Sequence, residues 1–204
     1  MLKEKFIQLI SRYSKDEMYN LECWKEIEKE YSSKLRYYHN LEHLENILKE
    51  LDEVKTQILN LDSLIFAVYY HDIIYTATKS DNELKSSLLF QKRISKTSFP
   101  YIEECRGAIE ATKKHKFSED HDTNILLDGD LSILGKCNIE YTRYAKNIRK
   151  EYQSYPDFMY RTGRKKVLES FLALASIYKT DFFIEKYEKQ ARENLALELA
   201  QLTS

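Results

Sequence analysis

The side chains best suited to metal or acid–base chemistry in this 204-residue chain are its five histidines. His39 and His43 lie four positions apart, which places both imidazoles on one face of a helix. His71 is followed by Asp72 at the end of a strongly apolar segment, where polar side chains need partners. A metal ion would satisfy both groups, because imidazole nitrogen and carboxylate oxygen suit Zn, Fe, Mn, Co or Ni.

A pair of acids extends this candidate ligand set. Asp128 and Asp130 lie at the start of a short apolar segment further along the chain. Together the three segments could supply two imidazoles and two carboxylates, which leaves open positions on a six-coordinate metal for catalysis. The alternative is that each histidine is exposed or takes part in an ordinary hydrogen bond.

Helices must position these side chains. The chain has only 4 Gly and 2 Pro, whereas the two residue types together make up about 12% of average proteins. β-sandwiches and Gly-rich phosphate loops are therefore disfavoured. Apolar residues recur at spacings of three and four in about ten segments without a long linker, which predicts an all-α bundle in a single domain over residues 1–204.

Several boundaries follow from capping residues and polarity. Asp62 is expected to cap a buried helix over Leu64–Tyr70, for which a buried strand is the alternative. Residues 116–124 are predicted to form a polar loop, followed by a short helix over Ile125–Leu134 that stops at Gly135. A later helix is predicted over Lys166–Ile177.

Charge and cysteine content limit the partners. The chain carries 32 basic and 33 acidic residues, for a net charge of −1, which disfavours duplex nucleic acid. Three widely separated cysteines favour reduced thiols and a reducing compartment. No signal peptide or bilayer-length apolar run is evident, so a cytoplasmic location without a membrane partner is expected. A homodimer is compatible with these features.

The order His43, His71-Asp72, Asp130 resembles the H…HD…D signature of the HD superfamily, which are all-helical metal-dependent phosphohydrolases. Tyr38–His43 is similar to the YHNxxH element of cyclic-nucleotide phosphodiesterases. The chain more closely resembles a little-characterised branch of predicted HD phosphohydrolases. The resemblance covers roughly residues 20–200, and its segments are Arg36–Asn40, His71–Tyr75, Asp81–Glu83, Asp128–Gly135, Tyr160–Arg164 and Ala191–Leu195.

This resemblance implies an HD-domain-like bundle in which His43, His71, Asp72 and Asp130 ligate one divalent ion rather than two. Mn, Fe, Co, Ni or Zn is expected, with Mg as an alternative. Asp130 is preferred because the last ligand of the superfamily usually precedes a Leu-containing turn. Asp128 is then expected to cap a helix or to support the ligands. The alternative, in which Asp128 is the ligand and Asp130 has the supporting role, stays open.

The resemblance also implies that His39 donates a proton to the leaving oxygen, with a supporting hydrogen bond as the alternative. Guanosine tetraphosphate diphosphohydrolases carry an acidic pair shortly after HD, where this chain has Tyr75 and Thr76. That activity is therefore not expected. The absent acid leaves a role for Glu83 in orienting the attacking water, although capping of a helix N-terminus would also explain its position.

Arg36, Arg161, Arg164 and Lys165 are predicted to bind substrate phosphate, because Arg offers a bidentate fork to phosphate oxygens. An ordinary solvated face is the alternative, or an anchor within the site for Arg36. The expected substrate is a small-molecule phosphoester, a nucleotide or a related compound, hydrolysed by metal-activated water.

Three other functions stay open. The first is a non-catalytic metal- or nucleotide-binding regulatory module. The second is an HD-type di-iron oxygenase, which needs a further ligand such as His115 or His121. The third is a helical interaction protein without a metal.

Overall fold

The computed structural model describes residues 2–203 and confirms the predicted all-α bundle, since this range forms ten α-helices and no strand. The helices are α1 (Leu2–Ile10), α2 (Glu17–Tyr31), α3 (Leu41–Glu53), α4 (Leu61–Tyr70), α5 (Asn82–Ile94), α6 (Ile102–Ala111), α7 (His121–Leu131), α8 (Asn138–Glu151), α9 (Asp157–Leu172) and α10 (Asp181–Thr203). Two 3₁₀ turns cover Lys55–Gln57 and Ser132–Gly135.

Helix α4 lies at the centre of the core. It is apolar on all sides, and every side chain from Phe66 to Tyr70 is fully buried. It packs against α3, α5, α6 and α7, and its residues Phe66 and Tyr69 also contact Phe6 of α1. The helical prediction for this segment is confirmed, and its last turn leads directly to the buried His71.

Polar caps set the starts of the helices near the site. The side chain of Asn40 accepts hydrogen bonds from the backbone N–H groups of Glu42 and His43, which places His43 in the first turn of α3. The cap predicted for α4 is wrong, because Asn60 accepts from Ser63 in that role. Asp62 lies inside the first turn and instead binds Arg12 and Tyr13.

The predicted loop over residues 116–124 is wrong in its second half. Asp120 accepts a hydrogen bond from the backbone N–H of Thr123, so α7 already begins at His121. The helix ends at Leu131, and the chain continues in a 3₁₀ turn through Gly135. Gly135 does not have a positive φ. It is required because a Cβ atom there would lie 2.5 Å from the Cβ of Tyr187 on α10.

The helix predicted over Lys166–Ile177 is displaced along the chain. Helix α9 begins directly after Pro156, a residue tolerated at a helix start, and ends at Leu172. Its first half is mostly exposed and therefore lacks the apolar periodicity on which the prediction depended.

The three cysteines are free, as predicted, with Cys23 and Cys105 buried and Cys137 exposed. Within residues 2–203, no helix combines the length and the apolar character that crossing a membrane would require.

Candidate metal centre

Three chain segments meet beside the end of α4. His43 lies in the first turn of α3, and His71 and Asp72 directly follow α4. Asp130 lies in the last turn of α7. Because α3 packs against both α4 and α7, these distant parts of the sequence become neighbours.

The four predicted ligands lie close together in one cluster, with both histidines buried and both aspartates partly buried. Nε2 of His43 lies 3.2 Å from Nε2 of His71 and 3.1 Å from Oδ1 of Asp130. Nε2 of His71 lies 3.3 Å from Oδ2 of Asp72 and 3.8 Å from Oδ1 of Asp130. Donor atoms of His43, His71 and Asp72 all lie within 4.8 Å of one another, so these three residues form a group that could hold a metal ion.

Hydrogen bonds outside the cluster orient its members. Nδ1 of His71 donates to the carbonyl oxygen of Val68 at 2.8 Å, so Nε2 is the ring nitrogen that faces the other candidate ligands. The backbone N–H of Asp72 donates to the hydroxyl of Tyr31 at 3.1 Å. His71 and Asp72 are thereby fixed independently of any bound ion.

Arg36 anchors the backbone around the site. Its guanidinium donates to the carbonyl oxygens of Asp72 at 2.6 Å, Ile73 at 2.8 Å and His39 at 3.2 Å. The residue is buried and does not line the cavity beside the cluster. The structure therefore places Arg36 as a link between two site segments, away from the surface that a substrate would reach.

The donor set fits a divalent cation. Burial lowers the pKa of His43 and so favours the neutral ring that a metal requires. Burial disfavours charge on His71 as well, but the neighbouring Asp72 raises its pKa to about 9. Although burial opposes charge, contacts with histidines hold the pKa values of Asp72 and Asp130 below the usual range. Two buried carboxylates that stay charged need positive charge nearby, which a metal ion would provide.

Asp128 and Asp130 point to different parts of the molecule. Asp128 is fully buried, and its carboxylate accepts from the backbone N–H groups of Lys179 and Thr180 and from the hydroxyl of Thr180. It thus caps the start of α10. Asp130 alone of the two lies beside His43.

His39 lies at the edge of the cluster, held by a residue that sequence reasoning missed. Its Nδ1 lies 2.6 Å from Oε2 of Glu151, and its Nε2 lies 3.8 Å from Oδ2 of Asp72. Glu151 also accepts a hydrogen bond from the hydroxyl of Tyr75 at 2.9 Å. Burial disfavours charge on His39, but the hydrogen bond to Glu151 raises its pKa above the usual value. No local pattern around Glu151 signals this contact.

His115 contacts the last of the predicted ligands. Its Nε2 lies 2.8 Å from Oδ2 of Asp130. The residue has a φ of 46°, a left-handed conformation that non-glycine residues rarely adopt. It lies outside the group formed by His43, His71 and Asp72. His121, the other candidate for a second metal, is exposed at the first position of α7.

A cavity of about 530 Å³ opens beside the cluster and is lined in part by Asp72, Asp130 and His39. Glu83 also lines it, from the first turn of α5. Oε2 of Glu83 is buried, and within residues 2–203 it has no hydrogen-bond partner. Glu83 therefore combines a position in the cavity wall with a buried carboxylate oxygen that accepts no hydrogen bond from residues 2–203.

The basic residues of α9 divide between two faces. Arg164 lines the cavity, but Glu198 binds its guanidinium at 2.8 and 2.9 Å. Arg161 and Lys165 do not line the cavity. Arg161 donates to the carbonyl oxygen of Leu202, and Lys165 lies 3.7 Å from Glu169 on the same helix. The structure brings only one of these predicted phosphate-binding residues to the site.

Comparison of the chain with models of protein families, with curated proteins and with solved structures finds no match. The HD-superfamily resemblance therefore stays a prediction from the sequence motifs.

Proposed function

We propose that this chain is a metal-dependent phosphohydrolase of the HD type that cleaves a small-molecule phosphoester. The observation that carries the proposal is the convergence of two buried imidazole nitrogens, 3.2 Å apart, with the carboxylates of Asp72 and Asp130. Both carboxylates line a cavity of about 530 Å³, a size typical of small-molecule sites. The sequence order of these residues supports the same function.

His43, His71, Asp72 and Asp130 would hold the ion. Two imidazoles with two carboxylates favour Mn, Fe, Co, Ni or Zn, whereas Mg prefers oxygen ligands. A bound divalent ion would polarise the phosphoryl group and activate a water molecule for attack on phosphorus.

His39 is the proton donor in this proposal. Its Nδ1 is held by Glu151, so its Nε2 stays directed toward Asp72 and the cavity. As the bond between phosphorus and the leaving oxygen breaks, the proton on Nε2 passes to that oxygen. The ring then stays bound to Glu151 through its Nδ1–H, which makes Glu151 a positioning residue.

Glu83 is the candidate for orienting the attacking water. Glu83 lines the same cavity, and within residues 2–203 its buried Oε2 has no hydrogen-bond partner. The attacking water would donate that hydrogen bond while its oxygen bonds to phosphorus.

One observation favours a second candidate function. The contact of 2.8 Å between His115 and Asp130 offers an additional imidazole next to a predicted ligand. A di-iron oxygenase of HD type would need such a ligand for its second iron. The metal content of the protein distinguishes the two functions.

Elemental analysis followed by hydrolysis assays on p-nitrophenyl phosphate and bis(p-nitrophenyl) phosphate tests the proposal. We expect one transition-metal ion per chain and metal-dependent release of p-nitrophenol. Asp72→Ala should lose both the ion and the activity but keep its helical circular dichroism, because a core of this size does not depend on the ion. Asp52→Ala is the control, since that exposed carboxylate lies at the surface, where it contacts Lys5.

Three outcomes would contradict the proposal. A protein that neither contains nor takes up Mn, Co, Ni, Zn or Fe has no metal centre. A metal-loaded protein that cleaves no phosphoester supports a regulatory module. Two irons per chain with the EPR signature of a coupled pair support an oxygenase.

A further inference from the structure

The cavity beside the His/Asp cluster has two chemically different walls. The segments 38–39, 72–83 and 112–115, together with Asp130, contribute its polar and charged groups. The segments 131–134 and 144–171 contribute the second wall, which we call the apolar arm. Its apolar side chains include Leu131, Leu134, Ile148, Met159, Val167 and Phe171.

Helix α9 contributes one face to this arm. Met159, Gly163, Val167 and Phe171 recur at intervals of four residues and all line the cavity. Met159 is 48% exposed and Val167 is 43% exposed, although both are large apolar side chains. Apolar side chains that line a cavity and stay this exposed are suited to contact an apolar ligand.

Gly163 keeps the arm open at the middle of this face. A Cβ atom at this position would meet nothing within 4 Å, and no glycine in residues 2–203 has a positive φ. Neither crowding nor backbone conformation therefore requires glycine here. Glycine in a helix interior is less stable than alanine. Its effect at this position is to leave space in the cavity.

The polar groups of the arm do not match a nucleobase. They are tyrosine hydroxyls and the guanidinium of Arg164, which Glu198 already occupies through two hydrogen bonds. No amide or carboxylate side chain lines the arm. A base presents several donors and acceptors along its edge, and leaving them unpaired against apolar groups is unfavourable. An apolar group fits this wall better.

The charges of the cavity favour a single phosphate. Besides Arg164, its lysine and arginine residues are the exposed Lys79 and Lys113, and Lys113 donates to the carbonyl oxygen of Ser80. A polyphosphate chain is usually bound by several such cations or by metal ions. A single phosphate at the metal centre needs no more positive charge than the ion and these few cationic side chains provide.

We infer that the substrate is a phosphoester with a single phosphate whose alcohol carries a bulky apolar group, and that this group occupies the apolar arm. The inference rests on the proposed function and specifies its substrate class. Binding energy from the apolar group would appear in kcat/KM, because it holds the phosphate at the metal centre.

A series of alkyl phosphates tests the inference. The Mn-loaded enzyme would be assayed on methyl, butyl and octyl phosphate, and on AMP and ATP. Each methylene that is fully buried raises binding about threefold to fourfold. We therefore expect kcat/KM to rise at least about tenfold from methyl to octyl phosphate, and octyl phosphate to exceed both nucleotides.

Two matched variants locate the effect. Gly163→Leu places a branched side chain in the arm. Gly107→Leu is the control, because Gly107 lies in α6 outside the cavity and a Cβ there also meets nothing within 4 Å. The ratio of octyl to methyl phosphate kcat/KM should fall at least about fivefold in Gly163→Leu and stay unchanged in Gly107→Leu.

Equal kcat/KM for methyl and octyl phosphate, or AMP as the better substrate, would overturn the inference and leave the phosphohydrolase proposal intact. An equal fall in the ratio of octyl to methyl phosphate kcat/KM in Gly163→Leu and Gly107→Leu would also overturn the inference. If no phosphoester is cleaved, calorimetry with methylphosphonate and octylphosphonate replaces the kinetic comparison. Tighter binding of octylphosphonate that Gly163→Leu removes would support the arm, and equal binding would overturn it.

Discussion

The carboxylate of Glu151 lies 2.6 Å from Nδ1 of His39, although the two residues are 112 positions apart in the sequence. The same carboxylate accepts from the backbone N–H groups of Tyr38 and His39 and from the hydroxyl of Tyr75. Burial would raise the pKa of Glu151, but the hydrogen bond from the His39 side chain and those from the backbone N–H groups of Tyr38 and His39 lower it. A charged, fixed Glu151 therefore determines which nitrogen of His39 faces the cavity.

His39→Ala tests the proton-donor role. The variant should keep its metal, because His43 is the ligand in this proposal. Activity on methyl phosphate, which has a poor alkoxide leaving group, should fall roughly 10²–10⁴-fold, the range typical of general acid catalysis. Activity on p-nitrophenyl phosphate should fall much less, because nitrophenolate is stable as an anion. Steady-state kinetics with both substrates and elemental analysis provide the measurements.

Two results would argue against this role. Equal losses on both substrates would indicate that His39 positions the substrate. Loss of the metal would show that the roles of His39 and His43 are reversed.

Glu151→Gln tests the positioning role of its carboxylate. A glutamine can orient its NH₂ group toward Nδ1 of His39, which removes the acceptor on which the ring depends. Activity on methyl phosphate should fall about 10–100-fold, as is common for residues that orient a ligand or catalytic group. The loss on p-nitrophenyl phosphate should be smaller, and the metal content unchanged. A merely structural role would lower both activities equally.

Glu140→Gln provides the control for that experiment. Glu140 lies on the same helix but is exposed, and its carboxylate contacts Cys137. Its replacement should leave the ratio of the two activities unchanged.

The candidate metal ligands could be predicted from the sequence, whereas the residues that support them could not. His43, His71 and Asp72 carry recognisable chemistry at helix starts and ends, which local patterns locate well. Glu151 occurs among charged residues on an ordinary amphipathic helix. Its role arises only because α8 approaches the segment around His39, and nothing local encodes that packing.

The basic residues of α9 show a related limit. Arg161, Arg164 and Lys165 are adjacent in sequence, but a helix directs neighbouring side chains to different faces. Only Arg164 lies on the face that lines the cavity. The sequence pattern places the start of this helix at Lys166, whereas α9 begins nine residues earlier at Asp157. Which side of α9 faces the cavity therefore could not be predicted either.

Glu50→Gln tests a buried charge network away from the metal centre. Glu50 is buried and binds Lys136 at 2.5 Å, Lys186 at 3.0 Å and the hydroxyl of Tyr187. Burial raises the pKa of Glu50, but these partners lower it below 4.5 overall. The charged form therefore stabilises the fold above about pH 4.5, and this contribution is lost as the pH falls through the lower folded-state pKa. The variant should be about 1–3 kcal/mol less stable at pH 7.

Urea unfolding at pH 7, 5 and 3.5 measures this effect. The free energy of unfolding should fall less steeply below about pH 5 in Glu50→Gln than in the wild type. Glu53→Gln is the control, since Glu53 also binds Lys186 but its carboxylate is half-exposed. Parallel acid dependence in Glu50→Gln and the wild type would show that Glu50 does not carry this charge effect.

Asp130→Ala and Asp128→Ala should separate metal binding from folding. Asp130 contacts His43 and His115, so its replacement should weaken metal binding. Asp128 accepts three hydrogen bonds at the start of α10, from Lys179 and Thr180. Its replacement should cost about 1–3 kcal/mol of stability because buried N–H groups lose their acceptor. Its metal content should stay that of the wild type.

The two variants are compared by urea unfolding in the presence of a chelator and by elemental analysis after metal loading. In the wild type, metal added at about 100 times its dissociation constant should raise the free energy of unfolding by about 2.7 kcal/mol. In Asp128→Ala, metal should raise the free energy of unfolding by the same amount, although the metal-free variant is less stable than the metal-free wild type. Asp130→Ala should lose the increment, since a weakened site stays empty at the same metal concentration. The opposite pattern, with the increment lost only in Asp128→Ala, would assign the fourth ligand to Asp128 and would require α10 to begin differently in the metal-bound protein.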